Sequence, residues 1–120
     1  MKVKLQYNTE AFPPILTVSV FGSPHYRQDM RTFMKYRREI NRAAEEAKIG
    51  YPIGGPIDLW ICFIDPTSPD LANCLMAFYR AVDKKALKGI SLVEDDGLFS
   101  KVTMMKLYPS TQGRAENRVP

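Results

Sequence analysis

Histidine and tryptophan each occur once in this chain, and cysteine twice. The lone His25 argues against nucleophilic catalysis that depends on an imidazole base. One His with Cys62 and Cys74 does not make a zinc ligand set. Both cysteines sit inside apolar patterns. Reduced, buried thiols in a cytoplasmic protein are therefore expected, not a disulfide scaffold. No apolar run approaches the roughly 18 residues of a membrane span. The first residues, MKVKLQYNTE, carry no apolar core after their lysines, so no secretory leader is expected.

What remains is ordinary in bulk and uneven in charge. The 120 residues are 45% hydrophobic and 25% charged, which suits one compact domain. Residues 1–14 read as an N-terminal extension and 109–120 as a loose polar tail. Net charge is +4. The excess lies at the two ends, and residues 51–100 are acidic. A metal-dependent protein acting on a polyanion needs such a pattern, with carboxylates for a cation and Lys/Arg for phosphates. Solubility alone also accounts for +4 on a small domain.

Apolar periodicity sketches the elements. Residues 2–7 alternate weakly and suit an edge strand. Residues 15–21 (ILTVSVF) are a β-branched strand that Gly22-Ser23-Pro24 ends. Over 28–48, Phe33, Tyr36 or Arg37, Ile40, Ala43, Ala44 and Ala47 form a buried helical stripe. Opposite them, Arg31, Lys35, Arg38 and Arg42 line one helix face. The stripe suits a phosphate backbone and equally suits a solvated face. Residues 57–64 (IDLWICFI) are apolar almost throughout, which predicts a central strand covered on both faces. A second helix is expected over about 69–85, with Ser68 as its cap and Pro69 in its first turn. Residues 98–108 complete the set. The expected class is α+β, a small mixed sheet packed by two helices.

Asp70 opens the second helix, while Asp95 and Asp96 precede the last strand. Element ends display functional groups, and carboxylates from two segments suit Mg²⁺. The plain alternative is that Asp70 answers the helix dipole and Glu94-Asp95-Asp96-Gly97 is a turn.

The stretch PDLANCLMAFYRAVDK…VEDDGLFSKVTMMK resembles the RusA family of Holliday junction resolvases. Asp70 and Asn73 match the family's Asp-x-Asp-Asn motif. Asp95 and Asp96 match its Asp-Asp loop, and Lys106 stands at the matching distance beyond. Upstream, Gly22, Pro24 and Arg27 match its Gly-x-Pro loop and arginine. The resemblance spans roughly residues 15–108. It implies a Mg²⁺-dependent endodeoxyribonuclease that resolves four-way junction DNA in recombination and repair. It further implies a homodimer, with Asp70, Asp95 and Asp96 as catalytic metal ligands. Arg27, Arg31, Lys35, Arg38, Lys101 and Lys106 are the expected DNA contacts.

The chain departs from the family on one helical face. Ala72 replaces the motif's second aspartate, Met76 its lysine, and Arg80 a third aspartate. Removing an acid together with the cation four residues on avoids an unpaired charge. The alternative implied is a weak or inactive homologue that binds branched DNA. Asn73 is then either a carbonyl ligand or a brace for the helix start, and Arg80 a stand-in for the lysine. Met30, Met34, Tyr79, Met104 and Met105 suit an interface or the core equally well.

Overall fold

Alternating apolar residues build the sheet, and every second one turns inward. The computed structural model describes residues 1–109, and the tail expected at 109–120 lies almost wholly outside the described residues. Four strands, β1 (Lys2–Asn8), β2 (Ile15–Phe21), β3 (Ile57–Ile64) and β4 (Phe99–Leu107), lie side by side in chain order. β1 runs antiparallel to β2, while β2, β3 and β4 are mutually parallel. The edge strand expected near residues 2–7 is β1, the first strand of the sheet. Two helices, α1 (Met30–Glu46) and α2 (Leu71–Val82), provide the crossovers. The α+β class expected from sequence is present.

Leu16, Val18 and Val20 of β2 and Leu59, Ile61 and Phe63 of β3 are buried. They pack with Phe33, Tyr36, Ile40, Ala43 and Ala44 of α1 and Cys74, Ala77, Phe78, Ala81 and Val82 of α2 in one core. Burying each large apolar side chain contributes about 1.5–3 kcal/mol. Ala47, expected on this stripe, caps the helix and is exposed. Both helices share one sheet face. β3 is central as expected, yet its other face is open, with Trp60 51% exposed. A continuous apolar run gave no means of telling one covered face from two.

Caps set the helix starts. Asp29 Oδ1 accepts the Thr32 amide at 2.9 Å, and these hydrogen bonds pull the Asp29 carboxyl below its usual range. Asp70, not Ser68, caps α2. Ser68 stands one step back, its hydroxyl accepting the Asp70 amide at 3.3 Å. Arg42 on α1 grips both oxygens of Glu39 at 2.5 and 2.8 Å and also bonds Glu46. It donates further to the Val3 carbonyl, and Val3 N–H donates to Glu39, so this network clamps β1 onto α1.

Candidate nucleic-acid interface

β2, β3 and β4 end at the same edge of the sheet, and α1 and α2 both begin there. Gly22 leaves β2 at φ +69°, a left-handed conformation that glycine adopts without strain. Its amide donates to the Ile64 carbonyl at 2.8 Å, and the Asp65 amide to that of Leu107 at 2.8 Å. The Thr67 amide reaches the Ser23 carbonyl at 3.0 Å. These bonds tie the loop after β2 to the loop after β3.

The first of those loops docks on the start of α2. Tyr26 N–H donates to Asn73 Oδ1 at 2.8 Å, and Asn73 Nδ2 lies 3.2 Å from His25 Nε2. Arg80 donates to the Gln28 carbonyl at 2.9 Å and to that of Tyr26 at 3.3 Å, with its guanidinium 4.3 Å over the Phe33 ring. Lys106 Nζ donates to the Pro69 carbonyl. The Gly22–Arg27 segment and the Asp70–Asn73 turn are thus one surface. Asn73 braces this loop, and Arg80 is hydrogen-bonded to it.

The acids divide. Asp70 accepts the Ala72 amide at 2.9 Å at the beginning of α2. Asp96 lies beside the later turns of that helix. There it lines a hollow of about 260 Å³ with Tyr79, Arg80, Asp83 and Met76. Met76, the lining residue nearest Asp70 along α2, is six residues and about 9 Å of helical rise away from it. Among the described residues, no three His, Cys, Asp or Glu side chains are placed to hold a metal ion. The expected convergence of Asp70, Asp95 and Asp96 within one subunit is therefore not found among the described residues. The reason is topological: in a parallel strand–helix–strand unit, the residues before and after the helix reach opposite sheet edges.

Asp95 and Asp96 do form a pair. Asp95 Oδ1 accepts the Gly97 amide at 3.0 Å, and this bond, with one from Asp96, lowers its pKa. Partial burial, then the neighbouring Asp95 and Asp83, push the Asp96 carboxyl up. Burial, then the charge of Asp96, also raises the Tyr79 phenol.

The predicted cations divide as well. Arg27, Arg31, Lys35 and Arg38 are all exposed, from the docked loop along α1. Lys106 joins them at the loop edge. Lys101 does not: it pairs in register with Asp58 on the open sheet face, away from the helices. Arg42, in the same stripe by spacing, is spent on Glu39 and Glu46. The sequence reading missed Arg37 as a structural cation and Trp60 as an exposed ring. Arg37's place on the apolar stripe was the available signal for the first. Compared with known proteins, the chain matches no family model, no curated protein and no solved structure.

Proposed function

We propose that this chain is a RusA-like protein of four-way junction DNA, working as a homodimer. One observation carries the reading. The two halves of the resemblance, the Gly22–Pro24–Arg27 loop and the Asp70–Asn73 turn, meet through the Tyr26–Asn73 hydrogen bond across 47 positions of sequence. Their common surface continues onto the exposed Arg31, Lys35 and Arg38. Such a row of cations neutralises phosphates by releasing counterions.

Strand cleavage, in this reading, belongs to the dimer. A two-fold pairing with antiparallel α2 helices sets the Asp70 end of one subunit against the Asp95–Asp96 end of the other. Hydrolysis with Mg²⁺ would then need acids from both chains. The second reading is junction binding without cleavage. It is favoured by Ala72 and Met76, which leave α2 without the second acid and the lysine that the family motif carries there, and by Arg80, which is hydrogen-bonded to the loop.

A synthetic four-way junction and a linear duplex of equal length test the proposal by gel shift at moderate salt. Preferred binding of the junction is expected, with nicking when Mg²⁺ is added. Preference without nicking at any Mg²⁺ or Mn²⁺ concentration selects the binding reading. Equal affinity for both DNAs overturns the proposal.

A further inference from the structure

The sheet face opposite the helices carries Trp60 at its middle, 51% exposed. Parallel strands are normally covered on both faces, so an open one invites an occupant. In register with Trp60 stand Thr17 on β2 and Thr103 on β4, small side chains that leave the flanks of the indole clear. A hollow lies on each side of the ring. One, about 170 Å³, is lined by Ser19, Cys62, Thr103 and Met105. The other, about 370 Å³, is lined by Gln6, Asn8, Ile15 and Thr17. Phe21, 38% exposed, shares the face in register with Ile64. It stands one strand over and four residues on, about 14 Å from Trp60 by strand spacing and rise.

Charge selects the occupant. Lys2 and Lys4 lie on this face beside Phe21 and Ser19, and Lys101 beside Asp58, the one acid that the four strands place on it among the described residues. Two such faces would repel, which counts against a second copy. A polyanion with flat apolar rings meets both the lysines and the aromatics. We propose that the open sheet face is a stacking platform for single-stranded nucleic acid, with bases against Trp60 and Phe21 and phosphates along Lys2, Lys4 and Lys101. Base–aromatic stacking tolerates any base, and salt-dependent phosphate contacts supply the remaining affinity. The proposal does not depend on the junction reading, because this face lies across the sheet from the helices.

Trp60 is the chain's only tryptophan and reports on the site directly. The intact chain is titrated with oligo-dT and, separately, oligo-rU while indole emission is followed. Saturable quenching by either strand, reversed by salt, is expected. By anisotropy with a labelled strand, Trp60→Ala weakens binding about tenfold and Trp60→Phe retains most of it. Lys4→Ala with Lys101→Ala lowers the slope of log K against log salt by about 1.4. Unchanged emission with both strands overturns the proposal, and so does undiminished binding by Trp60→Ala. A blue-shifted emission that grows with protein concentration, together with a doubled mass, assigns the face to a second copy and equally overturns it. A chain that passes here and fails on junctions separates the two proposals.

Discussion

Arg37 Nε donates to the Ala81 carbonyl at 2.9 Å, joining α1 to the last turn of α2 from inside the core. The same guanidinium bonds the carbonyls of Asp83, Leu87 at 2.7 Å and Lys88 at 3.0 Å. Helix ends leave carbonyls without partners, and here one cation satisfies them along with the loop that follows. Burial lowers its pKa, with Asp83 opposing. Truncation would strand several buried carbonyls at once. Arg37→Ala is expected to cost about 3 kcal/mol or more in urea unfolding. Arg37→Lys recovers little, because an ammonium cannot reproduce the planar fork. A loss below about 1 kcal/mol would show that the carbonyls find other partners.

Arg42 and Lys35 stand on one helix with different duties. Arg42 is held by Glu39, Glu46 and the Val3 carbonyl, whereas Lys35 is exposed. Lys35→Ala should therefore weaken junction binding and reduce the salt slope by about 0.9. Arg42→Ala should leave the slope unchanged while lowering stability by loosening β1. Equal slope changes in the two variants would mean that α1's cations are not distinguished in this way.

That contrast marks how far the sequence could be read. Strands at 15–21 and 57–64 follow from β-branched and apolar runs, and the structure places them at those residues. The helices follow from Phe33, Ile40, Leu71 and Phe78 at helical spacing, with ends shifted by two or three residues. Asp70 and Asn73 were legible as a motif. Bracing was one of two readings offered for Asn73, but its partner was not legible, since that is a loop 47 positions away. Period also cannot tell Arg42 from Lys35, because a salt bridge is a matter of which rotamer finds an acid. Above all, Asp70 and Asp95–Asp96 were judged by their nearness to element ends. The ends belong to opposite edges of the sheet, and only the strand directions reveal that.

Asp96 offers a pH test. Its carboxyl is raised, mainly by partial burial and then by Asp95 and Asp83, so the folded chain holds this proton more tightly than the unfolded one. Ionisation therefore costs stability, fully so above the raised folded value. The cost fades as pH falls through that value and is gone below the ordinary carboxylate pKa of about 4. Asp96→Asn should raise the thermal midpoint at neutral pH, with the gain shrinking in acid. Asp95 runs the other way, since its lowered pKa makes its contribution one that acid removes. A gain that is the same at neutral and acid pH would exclude ionisation of Asp96 as its source.

Mixing two inactive variants separates a site within one chain from a site between two. Asp70→Asn and Asp96→Asn are each expected to abolish Mg²⁺-dependent nicking of a four-way junction while leaving binding intact. Suppose each site takes Asp70 from one subunit and Asp96 from the other. A mixed dimer then pairs both altered residues in one site and both native residues in the other. One of its two sites is whole, and nicking returns on mixing, confined to one strand of each junction. If each site lay within one subunit, every site in the mixture would carry an altered acid, and activity would stay absent. Since Asp70 caps the start of α2 while Asp96 lies beside its later turns, the mixture should be active. Activity in either single variant would instead remove that residue from the cleavage site altogether.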